Sequence, residues 1–219
     1  MRILIIVCGE HIQGRLILSE LLKNNFNNIF LMKEENTKLA KKHDDFLKEL
    51  NTKVPFFSNM NLEINKTNKL NKIILIEVIN KFKPNFIIQG GVGIIEEEVL
   101  NLGFFLNVHP GILPNFRGLD PVLWSIYNNE PVGATIHKID SSLDTGPILL
   151  SERLPYVYKK RIIDLRLQCM EWGSKLLVKF LKNPNGFSLK PQDPKHANYF
   201  GAFPKNKIYL LEKKLQNIK

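Results

Sequence analysis

Residues 2–7 read RILIIV, and an apolar, β-branched stretch of this kind is typical of a strand buried on both faces of a parallel sheet. Apolar residues then recur at helical spacing over 12–25, and a second short apolar stretch, IFLM, covers 29–32. The same alternation predicts further elements: a helix over 37–50, a short strand at 54–57, a helix over 68–82 that Pro84 ends, and a strand at 86–89. We therefore expect an α/β fold with a Rossmann-like, open, mostly parallel sheet flanked by helices.

The second half of the chain has a different pattern. The predicted elements are a strand at 104–108, a helix at 119–128, two paired strands at 133–139 and 147–155, and a long amphipathic helix over 161–182. We expect one catalytic domain over residues 1–182 and a short C-terminal extension, 183–219, that is not an independent domain. The extension carries an apolar cluster at 208–211, which leaves open whether the protein pairs into a homodimer.

The chain is strongly basic, with 31 Lys and Arg against 21 Asp and Glu and a net charge of +10. Lysine supplies 25 of those basic residues, whereas arginine is the better reader of phosphates and bases. The sequence has no arginine stripe and no zinc-binding spacing, so we do not expect nucleic acid as a partner. Two cysteines, Cys8 and Cys169, fit small core residues in a reducing compartment, and no apolar stretch is long enough for a membrane span. We expect a cytoplasmic protein.

The turn after the first strand lacks a nucleotide fingerprint. Gly9 and Gly14 complete neither G-x-G-x-x-G nor the P-loop pattern, so a dinucleotide cofactor is not expected. His11 and Arg15 stand where an open α/β sheet places ligand contacts, which makes them candidates for substrate binding. The alternative is that both are ordinary residues in the first turn of a helix.

Residues 107–146 contain the candidate catalytic side chains. Asn107 and His109 are two apart at a strand end and so project to one side, while Asp144 lies in a turn two residues before Gly146. An amide donor and a protonated imidazole can stabilise an oxyanion. We expect Asp144 to raise the pKa of His109 and to help remove a proton from an attacking amine. This set supports acyl transfer without an enzyme nucleophile and without a metal.

The same stretch resembles a known family. Asn107-x-His109, Leu113-Pro114-x-x-Arg117-Gly118, Gly133-x-Thr135-x-His137 and Leu143-Asp144-x-Gly146 together look like the signature of the 10-formyltetrahydrofolate-dependent formyltransferases. That superfamily includes the glycinamide ribonucleotide, methionyl-tRNA and sugar N-formyltransferases. The resemblance implies that 10-formyltetrahydrofolate is the cosubstrate and that Asn107, His109 and Asp144 are catalytic.

The resemblance also implies binding residues. The pterin is expected to contact the loop after the strand at 86–89 and the turn before Asp144: Gly91, Val92, Gly93, Ile94, Ile95, Ile139, Asp140, Ser141 and Leu143. Substrate contacts are expected at His11, Arg15, Pro110, Gly111, Arg117 and Trp124. His137 is left open between a supporting residue of the site and a core position. The motif Gln192-x(6)-Tyr199-Phe200 also resembles the family, but the sequence assigns it no role.

Departures from the family pattern indicate the acceptor. Glu10 stands where ribotide enzymes cradle a phosphate, and an acidic side chain is poorly suited to that role. Fewer than 40 residues follow Leu181, too few for the second domain of the methionyl-tRNA enzymes. We therefore expect the acceptor to be a nucleotide-linked amino sugar, as in polysaccharide biosynthesis. Three alternatives stay open: a ribotide or methionyl-tRNA enzyme, a non-catalytic folate-binding relative, and a hydrolase that releases formate.

Overall fold

The computed structural model describes residues 1–35, 54–156 and 161–216. The chain divides into two compact units between Asn107 and Val108. The helix predicted over 37–50 lies outside the described residues. The division of the chain into a domain over 1–182 and an extension over 183–219 stays a prediction.

The first unit contains a parallel sheet with helices between its strands. Its elements are β1 (Ile3–Cys8), α1 (Ile12–Lys23), β2 (Ile29–Glu34), β3 (Ile64–Thr67), α2 (Lys72–Phe82), β4 (Phe86–Gln89), α3 (Glu97–Leu100) and the first part of β5 (Phe105–His109). The strand order is β3-β2-β1-β4-β5, and every pair in it is parallel. The predicted Rossmann-like sheet is confirmed.

Strand β1 forms the centre of this sheet, and its apolar residues Ile3 to Val7 are fully buried. Helix α1 packs against it through a close approach of two glycines. A Cβ atom added at Gly90 would lie 2.8 Å from the Cα of Gly14 and 2.7 Å from Val7 Cγ1. Side chains at these positions would push α1 away from the carboxyl end of the sheet. This close contact explains why both positions are glycine.

The strand predicted at 54–57 is wrong. Residues Phe57–Asn59 form a short 3₁₀ turn instead, and the strand lies at β3. The physical reason is that side chains bind the backbone of this segment. Arg15 donates to the carbonyl oxygens of Val54 and Pro55, and the Phe57 N–H donates to Glu10 Oε2 at 3.1 Å. A sheet ladder is therefore not needed to satisfy these groups.

The second unit contains the end of β5 and seven further elements: β6 (Arg117–Gly118), α4 (Pro121–Tyr127), β7 (Gly133–Lys138), β8 (Ile148–Arg153), α5 (Ile162–Lys182), β9 (Tyr199–Phe200) and α6 (Ile208–Gln216). Here the strand order is β5-β7-β8; β7 pairs with β8 as predicted, and the pair is antiparallel. A separate small ladder joins β6 to β9 in parallel. The long helix predicted over 161–182 is confirmed as α5.

The described part of the C-terminal segment packs within this unit. Phe203, Leu211 and Leu215 are buried in one cluster with Val122 of α4 and Leu165 of α5. Because Leu211 is fully buried there, it is not available to a partner subunit, and the homodimer stays a prediction.

Both cysteines are buried, as expected for core residues, and burial raises the pKa of the Cys169 thiol to about 12. Among the described helices, none combines the length and apolarity that a membrane crossing needs.

Candidate active site

The second unit brings a carboxylate between two histidines. Asp144 lies in the turn between β7 and β8, and 7% of it is exposed. Its Oδ2 is 3.6 Å from His109 Nδ1, and its Oδ1 is 3.6 Å from His137 Nε2. The two imidazole rings stand edge to face with centroids 6.5 Å apart. We call Asp144, His109 and His137 the carboxylate–histidine cluster.

Strand geometry places these three groups together. His109 ends β5, His137 is the fifth residue of β7, and both side chains are buried. Asp144 reaches them because its backbone adopts φ of 55°, the left-handed region that asparagine and aspartate tolerate better than most residues. The sequence left the role of His137 open, and the structure places it against Asp144 rather than among apolar core residues alone.

The Asp144 carboxylate is strongly stabilised in its charged form. Burial alone would raise the pKa of Asp144, but three groups oppose it: the contact with His137, the interaction with His109, and a hydrogen bond from the Gly118 N–H to Oδ2 at 2.8 Å. Together they lower the pKa of Asp144 to about 2. The site therefore holds a buried negative charge at neutral pH.

His109 differs from the sequence expectation in its protonation. We expected Asp144 to raise the pKa of His109, and its charge does act in that direction. Burial, however, disfavours the imidazolium more strongly, so the pKa of His109 is lowered below its ordinary value. The expected protonated His109 is corrected to a ring that is neutral at physiological pH.

One hydrogen bond fixes the tautomer of that ring. His109 Nε2 lies 2.7 Å from the Phe116 carbonyl oxygen, which can only accept, so Nε2 carries the proton. In the neutral ring Nδ1 is then unprotonated and faces Asp144 Oδ2. A proton arriving at Nδ1 is stabilised by the carboxylate beside it. Geometry and charge thus make His109 a proton acceptor supported by Asp144.

Asn107 lies on β5 two residues before His109 and is half-buried. Its backbone is in register with Gln89 of β4. Alternation along β5 places the two side chains on one face, as the sequence predicts.

The predicted substrate residues of the second unit are mostly engaged within the protein. Arg117 donates through Nε and Nη2 to Gln192 Oε1 at 3.0 and 2.8 Å. Trp124 stacks on Phe200, and its Nε1–H donates to the Gly201 carbonyl at 2.9 Å. The Gly111 carbonyl accepts from Thr135 Oγ1, and Pro110 beside it is half-buried. Sequence reasoning had given Gln192 no role, although its motif was visible.

The turn predicted to contact the pterin is open to solvent next to the buried carboxylate. Asp140, Ser141 and Leu143 are exposed, and Ile139 is half-buried. Thr145 Oγ1 donates to Asp140 Oδ1 at 2.6 Å, which stiffens this turn. Leu143 leaves 48% of an apolar side chain in water immediately before Asp144.

The first unit carries the other predicted pterin residues on the loop after β4. Gln89 Nε2 donates to the Val92 carbonyl at 2.8 Å and holds the start of this loop. A cavity of about 140 Å³ is lined by residues from that loop, β1, β2 and α2, including Val92, Gly93, Ile94, Ile95 and Glu34. The Ile94 side chain on this loop is 95% exposed.

His11 and Arg15 of the first unit differ in accessibility. His11 is half-buried, accepts from the Gln13 N–H at 3.1 Å and packs against Gly91, the first residue of the predicted pterin loop. Arg15 is 0% exposed and binds the carbonyl oxygens of Val54 and Pro55. Burial also lowers the pKa of Arg15. In this structure Arg15 supports the segment at 54–57 and does not reach solvent.

Comparisons with known proteins identify a family and several relatives. A family model described as formyl transferase matches residues 1–181. A methionyl-tRNA formyltransferase from Kosmotoga olearia is 34% identical over 143 residues, which are 62% of this chain and 46% of that protein. The matched region is less than half the length of this curated relative, and it is 36% and 41% of the length of two others.

Two solved structures share the fold. A sugar N-formyltransferase from a Shewanella species matches with a TM-score of 0.67 at 18% identity, covering 98% of this chain and 88% of that one. HypX from Aquifex aeolicus in complex with tetrahydrofolic acid matches with a TM-score of 0.66 at 16% identity, covering 100% of this chain and 35% of that one. Since the family model matches residues 1–181, which are most of the sequence, the chain belongs to the formyl transferase family.

Proposed function

We propose that the protein transfers a formyl group from 10-formyltetrahydrofolate to the amino group of a nucleotide-linked amino sugar. The observation that carries this proposal is the buried Asp144 carboxylate between His109 and His137. A site built this way holds a charge that can accept or stabilise a proton, and an exposed apolar turn lies beside it. It has no need of a nucleophile from the protein.

The folate supplies the activated formyl group. In the second unit, Leu143 is a candidate folate contact, because this side chain is large, apolar and solvent-exposed. In the first unit, Ile94 is a candidate on its own loop for the same reason.

His109 and Asp144 move the proton. A bond forms between the amine nitrogen and the formyl carbon, the bond from that carbon to the folate nitrogen breaks, and a proton passes from the first nitrogen to the second. We assign His109 Nδ1 as its carrier, because Nε2 is committed to the Phe116 carbonyl. Asp144 stabilises the imidazolium that forms.

Asn107 is assigned to the formyl oxygen. Negative charge develops on that oxygen as the amine attacks, and an amide N–H beside it lowers the barrier. Neutral His109 does not supply this donor, since its remaining proton is directed at Phe116. This division of roles differs from the one expected from sequence, where Asn107 and His109 shared the oxyanion.

The loop after β1 supports an acceptor other than a ribotide. Glu10 Oε1 pairs with Lys33 Nζ at 2.7 Å, and Oε2 accepts from the Phe57 N–H. A carboxylate locked in this position repels a phosphate. The likeness in fold to a sugar N-formyltransferase is consistent with an amino-sugar acceptor.

Methionyl-tRNA is the second candidate acceptor. The specific observation in its favour is the 34% identity over 143 residues to a methionyl-tRNA formyltransferase. Both candidate acceptors would use the carboxylate–histidine cluster in the same way. They differ only in the molecule that carries the amino group.

A direct assay tests the proposal. The purified full chain is incubated with 10-formyltetrahydrofolate and, in separate reactions, a panel of nucleotide-linked amino sugars, glycinamide ribonucleotide, methionyl-tRNA or no acceptor, and products are followed by mass spectrometry. We expect one formyl group on an amino sugar. Formylation of methionyl-tRNA alone would replace the first candidate with the second. Formate release without an acceptor would identify a hydrolase, and folate binding without turnover would identify a non-catalytic relative.

A further inference from the structure

The side chain of Gln192 links the turn that carries Asp144 to strand β6. Its Nε2 donates to the carbonyl oxygens of Asp144 at 2.9 Å and Gly146 at 2.7 Å. Its Oε1 accepts hydrogen bonds from both Nε and Nη2 of Arg117. A glutamine amide has two N–H donors and two acceptor lone pairs, so these four bonds use its full capacity.

The turn at Asp144 needs support of this kind. Asp144 has a left-handed backbone with φ of 55°, a strained conformation that persists where surrounding groups hold it. The carbonyl oxygens that Gln192 binds belong to Asp144 itself and to Gly146 two residues later. Releasing them would let the turn relax and would move the carboxylate away from the histidines.

Strand β6 supports both the backbone and the carboxylate of Asp144. Arg117 holds Gln192, which binds the Asp144 backbone, and the next residue, Gly118, binds the Asp144 carboxylate through its N–H at 2.8 Å. Pairing of β6 with β9 holds this strand in place. Gln192 and β9 both belong to the segment after α5, so that segment supports the cluster from a distance in sequence.

We propose that Gln192 is a positioning residue for Asp144, acting through the Asp144 and Gly146 carbonyl oxygens. The inference deepens the proposed function and rests on it, because it assigns a role to Gln192 in that reaction. It also gives Arg117, a predicted substrate contact, a different role, since the guanidinium orients the Gln192 amide.

Gln192→Glu is the sharpest test. The variant keeps the size of the side chain and its pairing with Arg117, but replaces a double donor with an oxygen that faces two carbonyl oxygens. We expect kcat to fall on the order of 100-fold, the effect of a misplaced catalytic group, with KM for both substrates within about twofold. The acid limb of the pH profile of kcat, which reports His109, is expected to move to lower pH, since a displaced Asp144 carboxylate no longer raises the pKa of that ring.

A second readout does not depend on activity. The imidazole ¹⁵N resonances of His109 and His137 report the nearby carboxylate. We expect Gln192→Glu to shift both in the same direction as Asp144→Asn does. Gln192→Met, which removes the hydrogen bonds without adding charge, serves if the first variant does not fold.

The matched control is Gln168→Ala. Gln168 also donates from Nε2 to a backbone carbonyl, that of Tyr156 at 2.8 Å, but it does not bind the Asp144 turn. We expect it to lower thermal stability and leave kcat unchanged. A folded Gln192 variant with wild-type kcat and unshifted histidine resonances would overturn the inference while leaving the proposed function intact. Absence of turnover in the wild type, with shifted resonances in the variant, would reject the function and retain the positioning role.

Discussion

Gly118 and Asp144 are joined by a hydrogen bond of 2.8 Å in which the glycine N–H donates to the carboxylate Oδ2. Gly118 adopts φ of +93°, a conformation open to glycine, and a Cβ atom there would collide with the Phe200 carbonyl oxygen. The bond that stabilises the buried charge therefore depends on a backbone geometry that a larger residue cannot take.

Gly118→Ala tests this dependence. Strain at positive φ and the collision with Phe200 are expected to destabilise the fold by about 1–3 kcal/mol and to lower kcat by withdrawing the N–H from Asp144. The control is Gly201→Ala: the structure places none of the described atoms within 4 Å of a Cβ at Gly201, so both quantities should stay at wild-type values. Thermal melts and steady-state kinetics measure them. Equal behaviour of the two variants would contradict the role of Gly118.

The pH dependence of activity follows from the direction of the His109 shift. Because burial lowers the pKa of His109, the unprotonated acceptor persists at neutral pH and is lost only as pH falls below the ordinary histidine range of about 6.5. We expect kcat to be level at neutral pH with its acid limb below about 6.5. An activity that falls as pH rises through 6.5 would instead require the protonated ring that the sequence suggested.

The stability of the fold, like the activity, should fall as the pH becomes acidic. Both His109 and Asp144 have folded pKa values below their unfolded values, so the unfolded chain takes up protons first and acidification weakens the fold. The His109 contribution is present above about pH 6.5 and is lost below it, and that of Asp144 is lost as pH falls from about 4 to about 2. Denaturation at a series of pH values for the wild type and His109→Gln separates the first contribution, which the variant should lack.

A substitution at Arg15 tests whether this residue has a structural role or binds the substrate. Removing its guanidinium leaves the buried carbonyls of Val54 and Pro55 without these donors, which costs about 1–3 kcal/mol per unsatisfied group. We expect Arg15→Met to lower the melting temperature with little change in KM, and Arg153→Met, at an exposed arginine, to change neither. A raised KM at unchanged stability would restore the substrate contact predicted from sequence.

Ile94 tests the predicted folate loop. Since 95% of its side chain is exposed, Ile94→Ser should leave the free energy of unfolding within about 0.5 kcal/mol of wild type. Loss of an apolar contact should raise KM for the folate. Ile73→Ser is the control, because Ile73 is 75% exposed on α2 and is not among the predicted binding residues. Identical KM values for the two variants would remove Ile94 from the binding surface.

The fold was largely predictable because its strands are apolar stretches bounded by helical periodicity. Strand β1 and helix α5 follow directly from that pattern. The segment at 54–57 was predicted wrongly because Val-Pro-Phe-Phe has the composition of a strand, whereas its backbone groups are bound by Arg15 and Glu10, which lie about 40 residues earlier. A local pattern contains no information about such distant partners.

The residues of the site were largely predictable from the sequence, but their protonation states were not. Spacing and resemblance brought Asn107, His109 and Asp144 together as candidates, and the structure does place His109 and Asp144 side by side. The lowered pKa of His109 could not be read from sequence, since it depends on how deeply the ring is buried. The role inferred for Gln192 likewise needed the fold, which brings it to a turn 48 residues away.

The most direct measurement is kcat for formyl transfer by Asp144→Asn, using the acceptor that the wild type formylates. Asparagine keeps the shape of the side chain and can still accept the Gly118 N–H, but it removes the negative charge between the two histidines. We predict a fall in kcat of between about 10²- and 10⁴-fold in a folded variant, with Glu152→Gln, which removes a partly exposed carboxylate paired with Lys179, near the wild-type rate. A folded Asp144→Asn enzyme with wild-type kcat would contradict the catalytic role of the buried charge.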